Sequence, residues 1–341
     1  MAARLAVRAL SVVLCAALAS AFTSAPIFTA YVDPSPSCFR QPSLVVATGV
    51  LYAFVEGRTT AWCSGTTDGS NSSILVRSSS DGGETWGPVT FLLTGGGGAH
   101  PNPDYLLGAH DPASDTTLIF IQVGASVLLG RTTDRGATWS TPAPLTVVPP
   151  PGMKYAVNGV GHGIVVTGAS GLCGEPTCGG ASGRLLVPFV CYSPNPLEGG
   201  GGGPVGPVGP GDVKCPGCYS CLLASDDGGS SWGPITAVTN QDGSREASLV
   251  QLDAAAHGGG GGAVVYASER NMGNATGDRW HATSVDSGAT FTSFGFDTSL
   301  PVRGRGGAPR SGSHRAIHNP TPPPGRGHVQ LDGVRERRVP V

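Results

Sequence analysis

The sequence predicts an all-β fold of the β-propeller class, on the basis of three observations. An eight-residue motif of the form S-x-D-x-G-x-T-W, known as an Asp-box, occurs four times, and each copy follows a short apolar run. Gly (54) and Pro (29) are abundant, and charged residues make up only 13% of the chain, a composition that favours turns over helices. Repeated hairpin units of this kind indicate a propeller, in which each unit forms one four-stranded blade.

The four Asp-boxes each carry an Asp two residues before a Gly, with an aromatic residue shortly afterwards. An Asp side chain bonds nearby backbone N–H groups, Gly accepts a positive φ, and the aromatic ring anchors the hairpin. We therefore expect the motif aspartates to shape turns and to do no chemistry. They are Asp81, Asp134, Asp227 and Asp286.

Apolar and alternating runs place the strands of four units around these motifs. The first unit is predicted to contain strands at 44–47, 50–56, 73–78 and 89–93. Three strands are predicted for each later unit. They lie at 104–107, 117–123 and 125–131 in the second unit and at 162–167, 184–191 and 219–224 in the third. In the fourth unit they lie at 247–252, 263–269 and 281–284. The Gly-rich and Pro-rich stretches between them are expected to be loop insertions.

The beginning of the chain has the pattern of a secretory signal peptide. Arg4 and Arg8 precede an apolar stretch at 9–19, and a cleavage pattern of small residues follows at 19–21. We therefore predict a signal peptide at 1–21 and export through the secretory pathway. No other stretch is long and apolar enough to cross a membrane.

The remainder of the chain is predicted to divide into two parts. Residues 22–300 form the propeller domain, whereas residues 301–341 are rich in Arg, Gly and Pro and lack apolar alternation. We expect this tail to be disordered, because it has no means of burying itself. The alternative is that the tail is not genuine coding sequence. The net charge of −2 gives no reason to expect a nucleic-acid partner, and the oligomeric state is left open.

Cysteine usage agrees with export. Cys15 lies in the signal peptide and eight cysteines remain, an even count that favours disulfides. Cys38 and Cys63 are one candidate pair, although the sequence leaves the connectivity open. The cluster at 215–221 superficially resembles a zinc knuckle, but no second cluster with histidine spacing follows, so no metal is expected. Asn71 and Asn274 begin glycosylation sequons.

An ordered set of motifs resembles the exo-α-sialidase (neuraminidase) family. Residues 39–42 match an F/Y-R-x-P motif, residues 53–58 match A-F-x-E-G-R, an isolated Asp68 follows, and the Asp-boxes come after it. The resemblance covers residues 39–291. It implies a six-bladed β-propeller of sialidase type, incomplete here with about four blades, whose site lies at the central axis. It also implies metal-independent, cofactor-free hydrolysis of terminal sialic acids with retention, and a sialylated glycan as the substrate.

The resemblance implies roles for five residues. Arg40 and Arg270 resemble two of the three arginines that hold the sialic acid carboxylate, a task that suits the guanidinium fork. Arg58 resembles a further substrate-binding arginine that lines the site. Asp68 matches the acid/base carboxyl, and Glu246 matches the glutamate that activates a tyrosine nucleophile.

Other residues leave alternatives open. Arg245 and Glu269 are adjacent alternatives in the fourth unit, and His162 is expected to be structural. No tyrosine follows Tyr266, and the arginines after Arg279 lie in the tail without a strand context. The sequence therefore does not identify the nucleophile or the third arginine.

Two functional hypotheses follow. The first is a sialidase of the secretory pathway, extracellular or lysosomal, that acts on glycoproteins, gangliosides or oligosaccharides and is truncated and weakly active or inactive as written. The second is a non-catalytic Asp-box propeller that acts as a secreted glycan- or protein-binding module, because Asp-box propellers host several unrelated functions.

Overall fold

The computed structural model describes residues 25–29, 38–59, 72–95, 102–157, 161–167, 183–192, 217–239, 243–253, 263–271 and 278–301. This part of the chain is all-β, with seventeen strands and no helix. None of its segments is therefore a helix long and apolar enough to cross a membrane. The predicted signal peptide, Asp68, the asparagines of both sequons and nearly all of the predicted tail lie outside the described residues.

The strands form four antiparallel sheets, three of which have their strands side by side in chain order, while the remaining one has an interrupted first strand. Blade 1 contains β1 (Cys38–Ala47), β2 (Val50–Arg58), β3 (Ser72–Ser79) and β4 (Thr90–Leu93). Blade 2 contains β5 (Pro103–Asp111), β6 (Thr116–Val123), β7 (Ser126–Thr132) and β8 (Ala143–Pro144). Blade 3 contains β9 (Lys154–Val157), β10 (Ile164–Val166), β11 (Arg184–Tyr192), β12 (Cys218–Ser225) and β13 (Thr236–Ala237). Blade 4 contains β14 (Ser244–Leu252), β15 (Val264–Asn271), β16 (Asp278–Ser284) and β17 (Thr292–Pro301).

The strands differ from the predictions mainly at the edges of the blades. β1 begins at Cys38, so Arg40 lies on a strand and not in the segment before it. Short outer strands that the sequence did not reveal, β8 and β13, complete blades 2 and 3, because two residues are too few to show a period. In blade 3 the first strand is interrupted, and β9 and β10 both pair with β11.

The Asp-boxes occupy equivalent turns after β3, β7, β12 and β16, as predicted. In the first, the Asp81 carboxylate accepts hydrogen bonds from Ser79 Oγ at 2.7 Å and from the Thr85 N–H at 2.9 Å. The same pattern recurs around the other three motif aspartates. These hydrogen bonds lower the pKa of Asp134 to about 2. Each of the four carboxylates accepts hydrogen bonds from its own turn, which confirms a structural role.

Three apolar cores separate the blades, and the Asp-box aromatic residue of the later blade packs into each one. Between blades 1 and 2 lie Val45, Tyr52, Phe54, Leu106, Ile119 and Ile121, with Trp139. Between blades 2 and 3 lie Leu107, Leu118, Phe120, Leu185, Val187 and Phe189, with Trp232. Between blades 3 and 4 lie Val166, Leu186, Leu222, Leu249, Val265 and Ala267, with Phe291. A strand such as β6 is buried along its whole length because it faces a blade on each side.

Strand direction separates the Asp-boxes from the predicted site residues. Because neighbouring strands are antiparallel, the start of the first strand and the end of the second lie at one face of the propeller, and the end of the third lies at the opposite face. Arg40 and Glu246 lie near the starts of first strands, and Arg58 and Arg270 lie at or near the ends of second strands. The Asp-boxes follow the third strands. The predicted site residues that the structure describes therefore share one face, and the Asp-boxes lie on the other.

Candidate functional site

The first strands of the blades meet around two glycines near the propeller axis. Ser43 Oγ on β1 donates a hydrogen bond to the Gly161 carbonyl at 2.7 Å and accepts one from the Gly108 N–H of β5 at 3.0 Å. A side chain at Gly108 would come within 2.5 Å of Val45, so only glycine permits this approach. Gly161 also lies against Ser248 of β14, because an added Cβ would be 3.4 Å from Ser248 Oγ. Blades 1 and 4 therefore converge at Gly161.

Matching β-bulges precede these serines in blades 1 and 4. The register shifts between Arg40 and Ser43 in β1 and between Arg245 and Ser248 in β14. The residue after each arginine has a left-handed backbone, with φ of 52° at Gln41 and 52° at Glu246. Arg40 and Arg245 are thus equivalent positions in two blades. A left-handed backbone is unfavourable for a residue with a Cβ and is found where surrounding contacts enforce it.

Glu246 and Arg270 form an ion pair at this face. Arg270 Nη1 donates to both carboxylate oxygens of Glu246, at 2.9 and 2.7 Å. Arg245 Nε lies 3.7 Å from Glu246 Oε1. The glutamate side chain is 14% exposed and that of Arg270 is 41% exposed, so the pair is reachable from solvent on the arginine side. Two guanidinium groups, those of Arg270 and Arg245, therefore lie beside this carboxylate.

Two phenols from other blades lie near the same cluster. Tyr105 of β5 hydrogen-bonds the Arg245 guanidinium, and Tyr192 at the end of β11 lies close enough to interact with its charge. Burial alone would lower the pKa of Arg245, but Tyr192, Glu246 and Tyr105 together raise it. Arg245 of blade 4 is therefore hydrogen-bonded to blade 2 and lies within electrostatic range of Tyr192 in blade 3.

Arg58 is enclosed at the end of β2. Its Nε donates to Glu56 Oε1 at 2.7 Å and its Nη2 to Glu56 Oε2 at 2.9 Å, a fork-to-carboxylate pair. Arg58 is 2% exposed and Glu56 is fully buried. Glu56 is also the cross-strand partner of Arg40, which is half-buried. Glu56 therefore links the two arginines: it is paired with Arg58 and lies opposite Arg40 on the neighbouring strand.

Glu269, one of the alternatives that the sequence left open, faces blade 3 and not the solvent. It is fully buried, and burial raises its pKa to about 7, although the Ser244 and Ser220 hydroxyls and the charge of Arg279 act in the opposite direction. Neither carboxylate oxygen of Glu269 has a hydrogen bond of ordinary geometry among the described residues. The same holds for Ser220 Oγ and for Nε1 of Trp280, the cross-strand partner of Glu269. Glu269 therefore belongs to a buried polar pocket between blades 3 and 4.

The structure thus places four of the five predicted site residues at one face, namely Arg40, Arg58, Glu246 and Arg270, and their roles stay predictions. Asp68 lies outside the described residues. His162 forms a backbone β-bridge with Gly108 while its side chain is exposed, and the structural role expected of it stays a prediction. Within the described ranges no group of three or more His, Cys, Asp or Glu side chains is arranged to hold a metal.

Sequence reasoning did not identify Tyr105, Tyr192 and Arg279 as neighbours of the candidate site. The two tyrosines come from blades 2 and 3, and a contact between blades leaves no local pattern. One signal was available for Arg245, since the segments Arg40-Gln41-Pro42-Ser43 and Arg245-Glu246-Ala247-Ser248 share arginine and serine at the same spacing.

Comparison with solved structures relates this fold to sialidases. The Hadza microbial sialidase Hz136 superposes with a TM-score of 0.55 at 17% identity, over 79% of this chain and 48% of that one. The NanB sialidase from Streptococcus pneumoniae gives 0.54 at 14% identity, over 81% and 54%. The intramolecular trans-sialidase from Ruminococcus gnavus gives 0.57 at 15% identity, over 81% and 74%. No protein-family model and no curated protein sequence matches the chain.

These likenesses define the fold class as a β-propeller of sialidase type, and the described part of the chain contains four of its blades. The chain spans about half the length of the first two sialidases. At such low identity the comparison describes architecture, so the activity has to be argued from the residues at the site.

Proposed function

We propose that the protein is an exo-α-sialidase that removes terminal α-linked sialic acids from glycoproteins, gangliosides or oligosaccharides with retention of configuration. One observation carries the proposal. The Glu246–Arg270 ion pair and the Arg40 bulge lie at the same face of a sialidase-type propeller, in blades that converge on Gly161. An arginine-rich site near the axis suits a substrate that carries its own carboxylate.

Each residue has a chemical task in this proposal. Arg40 and Arg270 bind the substrate carboxylate through charged hydrogen bonds. Arg58, which the resemblance makes a further substrate-binding arginine, is enclosed and paired with Glu56, so we assign it a supporting role beside Arg40. Asp68 protonates the departing glycosidic oxygen and later activates water. Glu246 is suited to take the proton from a phenol that attacks the anomeric carbon, because a phenol avoids setting a second carboxylate against that of the substrate.

We also propose that this chain by itself binds sialosides and turns over few of them. No tyrosine follows Tyr266, and the resemblance draws the nucleophile and the third arginine from blades beyond the fourth. A second candidate function is a non-catalytic propeller that binds glycans or proteins, because Asp-box propellers host several unrelated functions. The two functions differ in turnover, not in the requirement for the arginines.

The proposed location is the secretory pathway, either outside the cell or in lysosomes. The disulfide between Cys191 and Cys221 supports it, because such bonds persist in oxidising compartments. Cys38 and Cys218 are disulfide-bonded as well.

The test is to express the chain in a secretory host and to measure binding of the sialidase inhibitor DANA by calorimetry, together with release of a fluorogenic aglycone from an α-sialoside. We expect binding, and a loss of affinity of about 10-fold or more in Arg270→Met, because a hydrogen bond between charged groups contributes about 1.5–3 kcal/mol. Arg184→Met is the matched control, since Arg184 forms a fork with Asp226 in the third Asp-box, away from the site.

The outcomes separate the alternatives. Binding with little turnover supports the proposal as stated. Robust turnover that Asp68→Ala abolishes would confirm the activity and contradict the low turnover expected of this chain. No binding by the wild-type protein, of either the inhibitor or the sialoside, would overturn the sialidase proposal.

A further inference from the structure

Glu246 needs a support that the Arg270 ion pair does not supply. Its left-handed backbone, with φ of 52°, costs about 1–2 kcal/mol for a residue with a Cβ. Arg270 holds the carboxylate at the far end of the side chain. A contact to the backbone of the bulge is a separate requirement if the carboxylate is to keep one position.

Arg279 of β16 makes this backbone contact. Its Nη2 donates to the Glu246 carbonyl at 3.5 Å and to the Ser268 carbonyl at 2.8 Å, and its Nε donates to Ser268 Oγ at 2.7 Å. The two bonds to Ser268 fix the plane of the guanidinium, because the fork is rigid. One side chain thus joins three strands, β14, β15 and β16, beside the bulge.

Comparison with blade 1 shows that this arrangement is not a general requirement of the fold. Ser268 pairs with Ser248 in blade 4, as Phe54 pairs with Ser43 in blade 1. The next pair after Glu269↔Trp280 in the β15–β16 register sets Arg279 opposite Arg270. In blade 1 the corresponding pair is Ile74 opposite Glu56. Phe54 and Ile74 are buried and apolar. Blade 1 therefore builds the equivalent bulge without an arginine.

An arginine at this position carries a desolvation cost. Burial and the nearby charge of Arg270 lower the pKa of Arg279, although Glu246, Glu269 and Tyr266 act against this. Guanidinium groups stay charged in proteins, so the cost falls on folding and not on ionisation. Blade 4 keeps a costly charged group where blade 1 uses a hydrocarbon, which indicates a role in the site next to it.

We propose that Arg279 is a positioning residue, which holds the β14 bulge so that Glu246 and Arg270 keep their paired geometry for the substrate. The inference rests on the proposed function for its ligand, but its structural part does not. Arg279 acts through Glu246 and does not contact the substrate. The sialic acid carboxylate would then bind to an Arg270 whose partner cannot shift.

The experiment compares Arg279→Met, Arg279→Lys and the control Arg184→Met in the full chain. Hydrogen exchange followed by mass spectrometry reports opening of residues 244–249, and calorimetry reports the affinity for DANA. We expect exchange in 244–249 to become at least 10-fold faster in Arg279→Met, the other blades to be unchanged, and the affinity for DANA to fall about 10-fold. Arg279→Lys should recover part of both effects, because lysine keeps the charge without the fork, and the control should change neither.

The results distinguish this inference from the proposed function. If the wild-type protein binds no sialoside, the proposed function fails, and unchanged exchange at 244–249 in Arg279→Met would overturn the structural part independently. Faster exchange with unaltered affinity for DANA would show a merely structural role and overturn the proposal. If Arg279→Met does not fold, Ser268→Ala removes only the hydroxyl acceptor. A smaller change of the same kind is then expected, and no change would contradict the proposal.

Discussion

Ser43 Oγ donates a hydrogen bond to the carbonyl oxygen of Gly161 at 2.7 Å, across 118 residues of sequence. The same hydroxyl accepts the Gly108 N–H at 3.0 Å, so one small side chain joins the first strands of blades 1 and 2 to the segment that enters β10. The two site bulges adjoin this junction, one from blade 1 and one from blade 4. The axis of the propeller is therefore held together by polar contacts as well as by the apolar cores between blades.

The first prediction concerns this junction. Ser43→Ala removes a donor and an acceptor at once and leaves the Gly161 carbonyl and the Gly108 N–H without this partner. We expect the free energy of unfolding to fall by about 1–3 kcal/mol, measured by denaturant titration. Ser126→Ala, at an exposed position at the start of β7, is the control and should change stability by less than about 0.5 kcal/mol. Equal stability of the two variants would contradict a role for Ser43 at the axis.

The second prediction concerns the aromatic residue of an Asp-box. The Trp232 ring lies edge-on to Phe120 of blade 2, with centroids 5.3 Å apart, so it fastens blade 3 to blade 2. Trp232→Ala should destabilise the protein by about 3–4 kcal/mol, seen as a lower Tm in calorimetry. Phe294→Ala on β17 removes an aromatic ring that is 42% exposed and should cost about 1 kcal/mol or less. A Tm in Trp232→Ala that matches that of Phe294→Ala would show that the motif anchors only its own hairpin.

The third prediction is a pH dependence of stability that originates at Glu269. Its pKa of about 7 in the folded protein is above the usual value of 4.5, so the folded state keeps its proton where the unfolded state loses it. The free energy of unfolding should therefore decrease as the pH rises from about 4.5 to about 7 and then level off. The groups that face this carboxyl are Ser220, Ser244, Trp280 and the charged Arg279. No second carboxyl among the described residues therefore contributes to the shift in its pKa.

Glu269→Gln tests this dependence, because an amide resembles the protonated carboxyl and does not ionise. The variant should lose this part of the pH dependence and be more stable than wild type at pH 8 by about 1–2 kcal/mol. Glu84→Gln, at an exposed site in the first Asp-box, is the control for loss of one carboxylate and should retain the wild-type pH profile. If the difference between Glu269→Gln and wild type is the same at pH 5 and pH 8, the buried carboxyl does not titrate in this range.

The fourth prediction concerns the disulfide that links β11 to β12. Cys191 and Cys221 close a loop with a sequence separation of 30. Replacing both by alanine should lower the free energy of unfolding by about 3–4 kcal/mol in the chain-entropy account, measured by denaturant titration under oxidising conditions. Peptide mapping of the wild-type protein checks the pairing directly. Recovery of these two cysteines in different bonds would contradict the connectivity.

Much of the fold is legible in the sequence because its causes are local. An Asp-box closes its own turn with hydrogen bonds between Ser79, Asp81 and Thr85, so four copies predict four equivalent hairpins. The central strands are long apolar runs, and β6 was predicted to within one residue at its start. The outer strands β8, β13 and β17 were not predicted. β8 and β13 have two residues each and are held by their neighbours, not by their own pattern, whereas β17 was missed although it has ten residues.

The candidate site divides in the same way. Motif positions singled out Arg40, Arg58, Glu246 and Arg270, since each lies at a strand end that the sequence marks. The environment of each side chain required the tertiary structure, because it depends on which blades meet. Glu269 and Arg270 are adjacent in sequence, yet strand alternation buries the first against blade 3 and turns the second toward Glu246 and the solvent.

By itself, the sequence determined that the chain is built of repeated β-hairpins and which strand ends carry arginine and carboxyl groups. Short-range hydrogen bonds and apolar periodicity suffice for both. Only the tertiary structure decided that Ser43 meets Gly161, that Tyr105 reaches Arg245 and that Arg279 supports the bulge at Glu246. The first two contacts join different blades, and the third joins two strands of blade 4 that are not neighbours. Their geometry follows from the packing of whole sheets around an axis, which no local pattern of residues encodes.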